Sequence, residues 1–222
     1  MNSQTVFTGS AISAEIKNKV LRNTYQLLAM TLFFSAAMAG ISMAVDPPPM
    51  TSLLASIGAL LLVWFVLPRT ANSSTGIFVI FGFTGLLGFG LGPMLNAYLS
   101  LPGGSQVIMT AMGGTGAIFL GLSGYALVTR KDFSFLGGML FAGMIVVVVA
   151  ALANLFFQIP GLQLAISAVV ILIMSGFILF DTSRIINGGE TNYIIATAGL
   201  YLSIYNIFVS LLHILSVFSG DD

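Results

Sequence analysis

Along the chain, long apolar runs alternate with short polar breaks. The first run spans about residues 23–45 and stops at Asp46-Pro47-Pro48-Pro49, where consecutive prolines cannot continue a helix. The second covers about 51–67 and closes at Pro68-Arg69, and the third covers about 75–98 with Pro102-Gly103-Gly104 after it. The fourth, about 106–128, ends at Arg130-Lys131-Asp132. The fifth, about 133–157, ends before Pro160-Gly161. From Leu164 to Leu215 two further runs are joined by the hinge Asn187-Gly188-Gly189-Glu190-Thr191-Asn192. A spanning helix needs roughly 20 apolar residues, so the pattern predicts seven membrane helices within residues 23–218. They are preceded by a polar tail at 1–22 and followed by a short C-terminus at 219–222.

Charge placement orients this array. With the N-terminus in the cytoplasm, Lys17, Lys19, Arg22, Arg69, Arg130, Lys131 and Arg184 all fall on the cytoplasmic side. Those are all seven basic residues. Cytoplasmic loops of membrane proteins carry the excess of Lys and Arg, so the expectation is N-terminus inside and C-terminus, with Asp221 and Asp222, outside. The first apolar run is full length and follows a polar tail, unlike a cleaved signal peptide, so it is read as a retained span.

Within the seventh span, Ser203, Asn206, Ser210 and His213 are spaced three, four and three apart. On a helix they share one face. Polar groups are costly against lipid, so this helix is expected inside the bundle, with Ser203, Asn206 and Ser210 hydrogen-bonded to other helices. Glycines are expected to mark helix contacts: Gly82, Gly85, Gly88, Gly90 and Gly92 on span three, Gly113, Gly121 and their neighbours on span four, and Gly137, Gly138 and Gly143 on span five. The alternative is a glycine-lined path or hinge.

Composition agrees with this reading. Hydrophobic residues make up 57% of the 222 and charged residues 6%, with mean hydropathy +1.05. Soluble domains carry about 25% charged residues. Zero net charge argues against nucleic acid as a partner. The lack of cysteine excludes disulfides and thiolate metal sites.

Few residues can carry chemistry. Asp181 ends the sixth span, where an ionisable residue invites a functional reading. Either it pairs with Arg184 at i,i+3 and ends the span at the headgroups, or it is buried against span seven as a proton-sensitive latch. Glu190 suits the positive N-terminus of span seven. His213 is the only histidine, so it is either a hydrogen-bonded structural residue or a pH sensor. Metal sites need several ligands, and none is predicted from the residues. No zincin, nucleophile-elbow or dyad pattern marks an enzyme.

The stretch FILFDTSRIINGGETNYIIATAGLYLSIYNIFVSLLHIL resembles the last two helices of the Bax inhibitor-1 family. KVLRNTYQLL at 19–28, FTGLLGFGLGPMLNAYLS at 83–100 and TRKDFSFLGGMLFAGM at 129–144 are similar to its bacterial inner-membrane members. The resemblance implies an all-α, seven-helix bundle whose seventh helix is surrounded by the other six. For the bacterial members it implies, as partner, the membrane-anchored AAA protease FtsH and its associated regulators. The chain would then be a slowly degraded competitor held by its N-terminal tail, with Glu15, Lys17 and Lys19 in the handle. Other family members pass calcium in a pH-dependent way through two aspartates. Asp181 matches the first and would be the calcium contact, beside Arg184, Ser203 and Asn206. Ser203 stands where the second aspartate would be, and one carboxylate cannot share a proton as a pair does.

Overall fold

The computed structural model describes residues 3–219, with side chains from residue 15 onward except Pro160. Seven helices are long and apolar enough to cross a membrane. They are α1 (Ser3–Val45), α2 (Met50–Thr70), α3 (Thr75–Leu99), α4 (Gly104–Thr129), α5 (Leu136–Phe157), α6 (Pro160–Asn187) and α7 (Tyr193–Ser219). No strand occurs among the described residues. Asp221 and Asp222 lie outside them.

Helix ends depart from the apolar pattern where local hydrogen bonding outweighs it. Helix α1 begins at Ser3, within the stretch read as a polar tail. At 1.5 Å per residue its 43 residues extend about 64 Å, roughly twice the hydrocarbon thickness. Helix α2 runs through Pro68, because a π-helical stretch, Leu62–Val66, lies just before it. A π-turn changes the carbonyl register that a proline ring would otherwise strike. Helix α6 starts at Pro160 rather than after it, since proline at the first turn loses no hydrogen bond. Helix α5 starts at Leu136 rather than Phe133. The Phe133 N–H donates to Ser183 Oγ (2.9 Å) and the Ser134 N–H to Asp132 Oδ1 (2.8 Å). The two bonds from Ser134 hold the Asp132 carboxyl below the usual carboxylate range.

Helix α7 is central. Its main neighbours are α6, α4, α1 and α3, while α2 packs on α3 and α5 on α6. Helix α7 is thus surrounded directly by four helices rather than the expected six, with α2 and α5 forming an outer layer. Three clusters of buried side chains fill the bundle. Each contains residues of α7, including Leu200 and Tyr201, Leu212, and Ile207 respectively.

The α1–α3 seam is the tightest. A Cβ added to Gly88 would stand 2.3 Å from the Ser35 carbonyl oxygen, and one on Gly92 would stand 2.1 Å from Ser42 Oγ. Only glycine allows that approach. Span four behaves otherwise: a Cβ on Gly113, Gly116, Gly121 or Gly124 would meet nothing within 4 Å. Those glycines do not mark contacts within the bundle, because α4 turns Ala111, Thr115 and Ser123 inward instead.

The basic helix ends meet at one end of the bundle. Lys17 crosses Gly188, the left-handed C-cap of α6 (φ +81°), where an added Cβ would be 2.7 Å from Lys17 Cε. Asn192 Nδ2 donates to Ala71 O (3.0 Å) and Asn72 Oδ1 (2.8 Å). Ser183 Oγ donates to Lys131 O (3.1 Å).

Gly88→Ala should lower the thermal unfolding midpoint in detergent, at a cost of about 1–3 kcal/mol from overpacking. Gly121→Ala should leave it unchanged or slightly higher. Equal losses in the two variants would contradict the seam.

Candidate functional site

At the end where the basic residues gather, α2, α6 and α7 surround a cavity of about 240 Å3. Asp181, Arg184 and Glu190 supply its charge, while Val63, Leu67 and Leu202 are among its apolar walls. Asp181 reaches it from the last turns of α6 and faces α7, where a Cβ on Gly199 would lie 2.8 Å from Asp181 Oδ2. Glycine at 199 thus leaves room for the carboxylate between the two helices.

Arg184 does not close an ion pair with Asp181. Its Nη2 lies 3.5 Å from Glu190 Oε2 and donates to Gly189 O at 3.1 Å, and its Cζ sits 5.4 Å from the centroid of the Phe180 ring. The hinge explains this choice. Helix α6 ends in a Schellman-type turn, with the Gly189 N–H donating to Arg184 O at 2.8 Å. That turn folds Gly189 and Glu190 back over Arg184. Glu190 Oε1 also accepts the Asn192 N–H (2.9 Å), and Asn192 Oδ1 caps α7 by accepting the N–H of Ile194 (2.9 Å) and Ile195 (3.2 Å).

The polar stripe on α7 is arranged differently from the sequence expectation. Ser203 Oγ donates to Gly199 O (3.2 Å) and Asn206 Nδ2 to Leu202 O (2.8 Å), both within α7. A carbonyl four residues back is always in reach of a short polar side chain on a helix, so these groups are satisfied locally. Ser210 is buried. His213 lies near the opposite end of the bundle, in a second cavity. The stripe therefore does not converge on Asp181, although Ser203 lies one turn beyond the Gly199 that faces it.

The interhelical bonds come from residues that the apolar pattern concealed. Tyr201, 1% exposed, shares a 2.5 Å hydrogen bond with Ser35 of α1 and donates to Thr84 O of α3 (3.3 Å). Its ring meets Phe83 edge-on, with centroids 5.6 Å apart. Thr197 Oγ1 donates to Tyr193 O in its own helix (2.7 Å) and also lies 3.2 Å from Thr24 O of α1, and Tyr25 pairs with Ser123 of α4. Tyrosine reads as apolar in a hydropathy pattern, so its hydroxyl gave no signal. Of the handle residues, Glu15 and Lys19 are exposed and Lys17 is half-buried over the hinge.

Among the described residues no group of three or more His, Asp or Glu side chains could hold a metal. Calcium takes six to eight oxygens, and the cavity offers two carboxylates with a guanidinium beside them.

Tyr201→Phe should destabilise the bundle by about 1 kcal/mol, as it removes one interhelical hydroxyl. Asn206→Leu, which loses only a bond within its own helix, should cost less. Thermal unfolding of both variants in the same detergent tests this ordering, and the reverse order would contradict the assigned bonds.

Residues 17–220 match the family model described as "Inhibitor of apoptosis-promoting Bax1". The chain is 56% identical to the Escherichia coli K12 protein named "Modulator of FtsH protease YccA", over 92% of each chain. It is 52% identical to an uncharacterized membrane protein of Vibrio cholerae over 92% of each chain. To a Pseudomonas aeruginosa protein it is 48% identical over 100% of each. The stretches that resemble Bax inhibitor-1 helices, the seven-helix bundle and the match over nearly its whole length make this chain a member of the Bax inhibitor-1 family.

Proposed function

We propose that this chain is an inner-membrane modulator of a membrane-anchored AAA protease of the FtsH type, acting as a slowly extracted competitor that spares other membrane clients. The observation that carries the reading is the identity to the E. coli protein whose name states that role. The positions of the basic residues support an N-terminus in the cytoplasm and a C-terminus in the periplasm. A cytoplasmic protease would then take the chain by its first residues.

The fold supports the competitor mechanism. Pulling from the N-terminus loads α1, and α1 is the helix whose Ser35 backbone and Ser42 side chain lie against Gly88 and Gly92. It also holds Tyr201 through Ser35 and Thr197 through Thr24. Withdrawing α1 breaks these contacts together, and it also pulls Lys17 away from its place over Gly188 in the α6–α7 hinge. A substrate engaged by its end but slow to leave the membrane occupies the enzyme.

The test is turnover of a membrane client of FtsH in reconstituted membranes, with the full chain, a form lacking residues 2–18, or Gly88→Ala added. The full chain should slow client turnover and co-purify with the protease. Gly88→Ala should be degraded faster and protect the client less. A truncated form that still binds and slows the protease would sink the handle.

A second reading, an ion leak of the calcium/proton type, draws on Asp181 facing a cavity between α6 and α7. Under it, Asp181→Asn should change calcium flux in vesicles by several-fold and leave protease binding intact. Equal flux in the two forms would count against Asp181 as a gate.

A further inference from the structure

The cavity between α2, α6 and α7 contains a charge that the bundle does not answer. Among the described residues no group donates a hydrogen bond to Asp181 and no cation pairs with it. The cation that lines the cavity, Arg184, is held elsewhere. Its Nη2 lies 3.5 Å from Glu190 Oε2 and donates to Gly189 O at 3.1 Å. Arg184 and Glu190 offset each other, so an ionised Asp181 leaves the lining net negative. A carboxylate set between two helices needs a donor or a cation to replace lost water.

The remaining lining selects among cations. Calcium takes six to eight oxygens, and one of the two carboxylates here already faces Arg184 and accepts the Asn192 N–H at 2.9 Å. A primary ammonium asks for less. It brings three N–H donors on a single charge, and the two oxygens of Asp181 can accept two of them. Val63 and Leu67 of α2 and Ile195 and Leu202 of α7 make the wall apolar. Such a wall favours a charge attached to carbon over a hydrated metal ion.

The cavity is reached from the bilayer. Helix α2 packs chiefly on α3 rather than on α6 or α7, which leaves a gap beside α7. At its rim Pro68 is exposed and Ile195 is 39% exposed. Ile195, Gly199 and Leu202 are spaced four and three apart, so one face of α7 runs from the rim to the carboxylate. Arg69 and Arg184 set this level near the headgroups. The geometry points to this cavity as a site for the primary ammonium of an aminophospholipid, with Asp181 as its acceptor and the acyl chains leaving between α2 and α6. The assignment requires neither protease binding nor ion passage.

The test uses the full chain in neutral detergent and counts retained lipid by native mass spectrometry. The probes are phosphatidylethanolamine, phosphatidylcholine with the same acyl chains, and butylammonium chloride. The two lipids carry the same net charge and differ in whether the ammonium can donate a hydrogen bond. Phosphatidylethanolamine should be retained about tenfold better. Asp181→Asn keeps the side-chain volume and removes the charge. It should bring phosphatidylethanolamine down to the level of phosphatidylcholine and leave the latter unchanged. Should Asp181→Asn not fold, Ile195→Trp narrows the rim without touching the carboxylate and should lower phosphatidylethanolamine retention several-fold. Equal retention of the two lipids by the unaltered chain overturns the site, as does an undiminished preference in the variant that folds. Displacement of phosphatidylethanolamine by an equal concentration of butylammonium overturns the lipid as the source of the ammonium.

Discussion

A hydroxyl in hydrocarbon has no water to bond with, so the oxygen of Tyr201 must find its partners in other helices. It finds Ser35 on α1 and Thr84 on α3. That requirement places α7 inside the bundle and draws α1 and α3 against it. The two helices can close on each other only because Gly88 and Gly92 let backbone meet backbone. Apolar burial supplies little drive between helices that already lie in lipid. Close packing and satisfied polar atoms are what distinguish one arrangement of seven helices from another.

The same economy shapes the two ends. Where the basic residues meet, the hinge recruits Arg184 to Glu190 and Gly189, which leaves Asp181 free to face α7 across Gly199. At the other end, Asn154 Oδ1 accepts the Ile159 N–H and Asn154 Nδ2 donates to Gln163 Oε1, which ties the end of α5 to the start of α6. In both places the partner taken by one polar group decides which partners its neighbour keeps. Both cavities lie at helix ends, where charged and amide side chains do not have to sit in hydrocarbon.

Under the proposed competitor role, resistance to extraction would come from how α1 is held. A helix gripped only by apolar contacts would exchange protein neighbours for lipid at small cost. Helix α1 instead carries polar partners of α7 and the backbone face that fits α3. Lys17 lies across Gly188, at the turn that carries Glu190 to the Asp181 cavity.

The number of spans, their order and the breaks at Asp46-Pro47 and Pro102-Gly103 were legible in the sequence, since hydropathy and proline act locally. So was the inward place of α7, because a polar face must avoid lipid wherever it is folded. Which polar atoms bridge helices was not legible. Ser203 and Asn206 looked interhelical yet bond to carbonyls four residues back, while Tyr201 bridges to α1 and α3. The glycines of α3 and α4 looked alike, yet Gly88, Gly90 and Gly92 meet a neighbour's backbone whereas Gly113, Gly116, Gly121 and Gly124 meet nothing. Periodicity says that a residue lies on a face. Only the packed bundle decides what that face touches, because partners more than a hundred residues apart, such as Ser35 and Tyr201, leave no trace in local pattern.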